Sequence, residues 1–229
     1  MAIAGGNITL DSTEGMDKIT STEKVTSPYF SDGSTTLLAA SIVSSSHTGQ
    51  TTNETYFFGI ANSATPTVQE FNVAFGSTNG YGSDDDADVI KAPTDAIYKQ
   101  YANLLLAPTE VTGGFFISSP ASSATKAISS GKDSEIYVLS ARRGNMKDRM
   151  NKGTWTIALS GSTSATASTS ATLLELTDDS VNSNPTATPA GDRYNIVSGS
   201  AGTVVTAAAT RNFGFFYPDM GIMVFSAGE

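Results

Sequence analysis

From residue 36 onward, apolar residues come in short runs broken by Gly, Ser, Asn and Pro, and the runs at 68–76, 135–141 and 153–160 alternate between two faces. That spacing limits the fold of the 229-residue chain more than any other feature. Successive side chains of a strand point to opposite faces, whereas a helix needs a period of about 3.6. Segments 37–43 (LLAASIV), 55–61 (TYFFGIA), 68–76 (VQEFNVAFG), 135–141 (EIYVLSA) and 153–160 (GTWTIALS) are therefore expected strands. Weaker strand patterns lie at 172–177, 193–197 and 203–207, and 212–217 (NFGFFY) and 221–227 (GIMVFSA) flank a Pro218-Asp219 turn. In 68–76, Val68, Glu70, Asn72 and Ala74 share one face while Gln69, Phe71, Val73 and Phe75 share the other, and the aromatic side is expected to be the inner one.

One segment breaks the pattern. In 93–106 (PTDAIYKQYANLLL), Ile97, Tyr101, Leu104 and Leu105 fall on one side at helical spacing, Thr94 is placed to cap, Asp95 sits in the first turn, and Pro108 comes just after. The expected fold class is mainly β: an antiparallel sandwich or barrel-like sheets, with one amphipathic helix packed on or capping the sheet. Residues 1–36 are rich in Gly, Ser, Thr, Asp and Glu with scattered Ile3, Ile8 and Leu10, too sparse to bury a core, and are expected to form an extended N-terminal arm. Residues 37–229 then make one β-rich structural domain, in which 161–171 (GSTSATASTSA) is a low-complexity loop.

The composition narrows the class of partner. Only 15% of residues are charged, against about 25% in an ordinary soluble domain. This suits a surface covered by neighbours, where charge is depleted, and equally a Ser/Thr-rich sandwich free in solution. With 13 basic and 22 acidic residues the formal net charge is -9, so nucleic acid is not an expected partner. No run approaches a membrane span and no leader pattern opens the chain, so no membrane partner and no signal-driven export are expected. There are no cysteines for a disulfide or thiolate site.

Reactive groups are sparse. The one histidine, His47, sits in a Ser-rich loop (SSSHTGQ), and no G-x-S-x-G elbow accompanies it. Asp84, Asp85, Asp86 and Asp88 lack the frame of a calcium loop and read as a solvated acidic segment, with a bound ion as the alternative. The stretch 76–82 (GSTNGYG) lacks the lysine of a phosphate loop. Trp155 is expected in the core. No enzyme activity, catalytic residue, cofactor or metal is expected. The basic connector between the strands at 135–141 and 153–160 stands out in an acidic chain: Arg142, Arg143, Lys147, Arg149 and Lys152 form either a solvated turn, with one helical turn in it, or a docking element for an acidic neighbour.

The succession IYKQYANLLL, EIYVLSARRGNMKDRMNKGTWTIALSG, LELTDD, GDRYNIVSGSAGT and GFFYPDMGIMVFSA resembles a module of virion structural proteins in contractile-tailed phages infecting marine cyanobacteria and related hosts. The positions that carry the resemblance are Tyr98 and Tyr101, Ile136 and Tyr137, Arg142 to Gly153, and Pro218 to Gly221, within residues 53–227. The resemblance implies a virion part, of the tail or baseplate, assembled in the host cytoplasm and acting through subunit interfaces as a homo- and hetero-oligomer with other virion structural proteins. Head decoration or neck protein, and a receptor- or glycan-binding tail-fibre module, are the alternatives. The expected contact regions are the arm (Ile3, Ile8, Leu10), the connector (Arg142, Arg143, Lys147, Arg149) and the terminal hairpin (Phe215, Phe216, Tyr217).

Overall fold

The computed structural model describes residues 26–27, 30, 37, 41–44, 56–62, 65–80, 93–112, 114–117, 132–162, 171–205 and 211–228. Strands β1 (Thr26–Ser27), β2 (Ser41–Ser44), β3 (Phe57–Asn62) and β4 (Thr65–Ser77) precede helix α1 (Pro93–Leu105). After it come β5 (Glu135–Ala141), β6 (Arg149–Met150), β7 (Ile157–Ser162), β8 (Ala171–Asp178), β9 (Thr186–Thr188), β10 (Gly191–Ser200), β11 (Thr203–Val204), β12 (Asn212–Tyr217) and β13 (Ile222–Ser226).

The main sheet runs β2-β3-β4-β5-β13-β12-β10-β8-β7, with β9 and β11 attached to β10. Every pairing in it is antiparallel, and the sheet curls into a half-barrel with α1 packed on it. The expected mainly β class with one packed helix is what the chain adopts. The first half of the sheet is the meander β2 to β5, and β7 to β12 build the second. Strand β13 lies between them, pairing Val224 with Val138 of β5 and with Phe215 of β12.

Two cores occupy opposite faces of this sheet. On the helix side, Tyr98, Ala102 and Leu105 of α1 meet Ile136, Val138, Phe215, Tyr217 and Val224. On the other side, Leu176, Tyr194, Ile196, Phe216 and Met223 form a second cluster, closed by Met150 and Trp155.

The helix presents a different stripe from the one its apolar residues suggest. Thr94, Tyr98, Ala102 and Leu105 are buried, while Leu104 is exposed and Ile97 only half-buried. The helix backbone approaches the sheet closely at Tyr98: a Cβ at Gly76 would sit 3.0 Å from the Tyr98 backbone. The inner face of β4 is accordingly Glu70, Ala74 and Gly76, and the aromatic face of Phe71, Val73 and Phe75, expected to be inside, is the outer one. Thr94 lies within the first turn of α1 and is fully buried.

Tyr98 also ties the helix to the segments at 115–117 and 133. Its hydroxyl donates to the Asp133 carbonyl oxygen and accepts from Phe115 N at 3.0 Å. The Asp133 carboxylate, itself buried, accepts from Ile117 N at 2.7 Å and from Ser226 Oγ. Gly114 takes φ +86° where any Cβ would collide with the Tyr98 hydroxyl. A buried backbone group without its partner costs about 1–3 kcal/mol. Tyr98→Phe takes away the acceptor of the Phe115 N–H and one donor to Asp133, so it is expected to lower unfolding stability by about 1–3 kcal/mol in urea melts with an unchanged slope.

Candidate functional site

The connector between β5 and β7 is a strap across the second core. Its start is held by Glu70: Arg142 N donates to the Glu70 carbonyl at 3.1 Å, and Asn145 Nδ2 to the buried Glu70 carboxylate at 2.7 Å. A single 3-10 turn at Arg143–Asn145 comes next and then β6, so the connector contains one short turn and one short strand. Met146 lies against Gly221, Met150 N donates to the Pro218 carbonyl at 3.0 Å, and Trp155 meets Phe216 edge-on with ring centroids 5.3 Å apart. β6 pairs in parallel with β1, matching Thr26 to Arg149.

This docking sorts the five cations into two sets. Arg142, Arg143 and Lys147 are exposed on the outer side. Arg149 is half-buried with its Nε enclosed, and Lys152 turns back to donate to the Tyr194 hydroxyl at 2.7 Å. The strap is therefore amphipathic, with methionine and tryptophan on the sheet side and positive charge outward.

A second surface lies beside the strap, on the same sheet face. Cross-strand register aligns Phe58, Val73 and Leu139 in one row, and Phe75, Tyr137 and Phe225 in the next. All are half-buried except Tyr137, which is 42% exposed, and its ring contacts Phe75 at 5.1 Å between centroids. Phe30 meets Phe71 edge-on at this surface. The alternation that placed these residues on one side was visible in the sequence, but assigning that side to the core concealed the patch.

The terminal hairpin corrects the sequence expectation. Phe215, Phe216 and Tyr217 are at most 6% exposed and belong to the two cores, so they are not contact residues on this fold. A run with aromatics on both faces is buried on both faces when each face has its own core. Ile3, Ile8 and Leu10, the rest of the arm apart from residues 26–27 and 30, His47 and Asp84 to Asp88 lie outside the described residues. Within the stretch expected as a loop, residues 161–162 belong to β7 and 171 to β8, and the remainder lies outside the described residues.

The buried carboxylates are committed to the fold. Asp178 accepts from Gly153 N at 2.8 Å and from Ser180 N at 3.1 Å, and Asp179 accepts from Asn195 N and Nδ2, both at 2.9 Å. Among the described residues no group of three His, Cys, Asp or Glu is placed to hold a metal ion, and no helix is long and apolar enough to cross a membrane.

Arg193 covers the rim of the helix-side core, with its guanidinium 4.4 Å from the Phe215 ring centroid and a two-pronged contact to Glu110 at 3.1 and 3.2 Å. Burial pushes the Tyr217 hydroxyl beneath it up to about 12, with the Arg193 charge pulling the other way. For Glu110, partial burial favours the neutral acid, but the hydrogen bonds and charge of Arg193 outweigh it and the carboxyl ends below its ordinary value of 4.5. A lowered folded-state value stabilises the fold above the unfolded value, and that contribution is lost as pH falls through and below 4.5. Glu110→Gln is expected to reduce stability at pH 7 while flattening its decline toward acid, measured as thermal midpoints across pH 3–7.

Comparison with protein families, with curated proteins and with solved structures found no match, and the functional reading rests on the sequence and the geometry of the fold.

Proposed function

We propose that the chain is a non-catalytic structural subunit of a virion, a tail or baseplate component of a contractile-tailed phage, that works by contact with copies of itself and with other virion proteins. The observation that carries the structural role is the outer face of β3, β4, β5 and β13. Two registered rows of apolar residues with Tyr137 at their centre make a contiguous patch, and such patches mark sites where another surface docks. Aromatic residues are enriched at protein interfaces because they bury much area for little entropy.

The outward arginines of the strap adjoin this patch in sequence and supply polarity to its rim. A cationic edge beside an apolar centre favours an acidic partner and steers its approach. The net charge of -9 counts against nucleic acid as that partner. The phage assignment itself rests on the order of motifs from the helix to the Pro218–Gly221 turn.

The double substitution Arg142→Glu with Arg143→Glu alters exposed side chains and is expected to change stability by no more than about 0.5 kcal/mol, whereas Tyr137→Asp also gives up the ring contact with Phe75 and is scored only once a thermal melt shows that it folds. Both are expected to block incorporation of the protein into particles, scored by complementation and by immunoblotting of purified virions. Normal incorporation of the two variants together would overturn the proposal.

A further inference from the structure

We propose that the strap is an oxidation-sensitive latch: hydrogen peroxide converts Met146 and Met150 to sulfoxides, and the strap then lifts from the second core, carrying Arg142, Arg143 and Lys147 with it. This adds regulation to the docking role proposed for those cations and rests on that role for its consequence.

The two ends of the strap are held by polar contacts. Arg142 N and Asn145 Nδ2 reach Glu70 at one end, while at the other Lys152 Nζ donates to the Tyr194 hydroxyl and Gly153 N to the Asp178 carboxylate. In residues 146–152 (MKDRMNK) the apolar side chains are Met146 and Met150. Met146 seats its sulfur directly on backbone: a Cβ at Gly221 would collide with that sulfur and lie 2.8 Å from the Met146 methyl carbon. Met150 packs against the cluster of Leu176, Tyr194, Ile196, Phe216 and Met223. The apolar grip of the middle of the strap therefore comes from two thioethers.

Thioethers differ from aliphatic side chains in one respect that matters here. Peroxide transfers one oxygen atom to the sulfur, which is oxidised to the sulfoxide while the peroxide is reduced to water, and a flexible apolar group becomes a polar one. The new oxygen needs a hydrogen-bond donor, and burying it without one is unfavourable. The backbone donors at this notch are already engaged: Gly221 N donates to the carbonyls of Tyr217 and Pro218 at 2.9 and 3.2 Å, Ala141 N to that of Gly221 at 2.8 Å, and Met150 N to that of Pro218 at 3.0 Å. Turning outward to water relieves the mismatch, and the strap follows its methionines.

Burial grades the methionines. Among the described residues Met220 is 36% exposed, Met146 and Met150 are half-buried, and Met223 is 2% exposed. Oxidation is therefore expected at the strap while the core methionine on β13 is spared.

The test treats the full chain with hydrogen peroxide, locates each sulfoxide by peptide mass, and follows backbone hydrogen exchange in peptides covering 144–156 and 222–226. Sulfoxides are expected at Met146, Met150 and Met220 but not at Met223. Exchange in 144–156 is expected to accelerate about tenfold or more, because Met150 N and Gly153 N keep their partners only while the strap is docked, whereas 222–226 stays slow. Met146→Leu with Met150→Leu conserves apolar volume and removes both sulfurs; once a melt confirms its fold, the same treatment is expected to leave its exchange unchanged. Peroxide that oxidises Met220 but spares either strap methionine would overturn the latch. Sulfoxides at both positions with unchanged exchange in 144–156 would overturn it without recourse to any variant. Equal acceleration in the doubly substituted chain would do the same, since the opening would then originate elsewhere. These readouts come from the isolated chain and the docking role is scored by incorporation into particles, so either can fail while the other stands.

Discussion

The pairing of β13 with β5 on one side and β12 on the other holds the molecule together. Without it the meander β2 to β5 and the strands β7 to β12 are two separate sheets, each with an uncovered edge. Four of the five β13 residues are buried, and they contribute to both cores at once: Ile222 and Val224 on the helix side, Met223 on the other. Burying an aliphatic side chain contributes about 1.5–3 kcal/mol, so this one short strand carries a large share of the cohesion. Ser226 adds a polar anchor by donating to the buried Asp133 carboxylate, which is bonded in turn to the segment after α1.

The strap from β5 to β7 depends on that arrangement. It crosses the face where Phe216 and Met223 come side by side, and its methionines and tryptophan fill the relief they leave. Once its apolar side is committed, its remaining charges must point to solvent. The same sheet face therefore has two characters: over β12 and β10 it is sealed by the strap, and over β3 to β5 it stays partly bare among the described residues.

Much of the strand content was legible, because the apolar runs at 135–141 and 212–217 match β5 and β12 to the residue. What alternation does not contain is which face wins. For β4 the more apolar face lost to the face of Ala74 and Gly76, since the helix backbone passes there and even a Cβ at Gly76 would sit 3.0 Å from it. The helix likewise buries Thr94, Tyr98, Ala102 and Leu105 while Leu104 stays out. Phe215, Phe216 and Tyr217 look adhesive in one dimension and are core in three, because Phe216 and its neighbours serve clusters on opposite sides. The basic connector was found by its charge, but its split into outward and inward cations depends on docking partners such as Tyr194 and Glu70 that lie far away in sequence.

The position of β13 also has a meaning for biosynthesis. Both strands it joins are made earlier, β5 about eighty residues before it and β12 just ahead of it, so the emerging polypeptide has to wait with its hydrophobic sheet margins unmatched until Ser226 leaves the ribosome. Contacts so distant along the chain form slowly. Folding is then a late, single closure rather than a progressive one, and a ribosome that stalls before that point releases two mismatched halves with a tendency to aggregate.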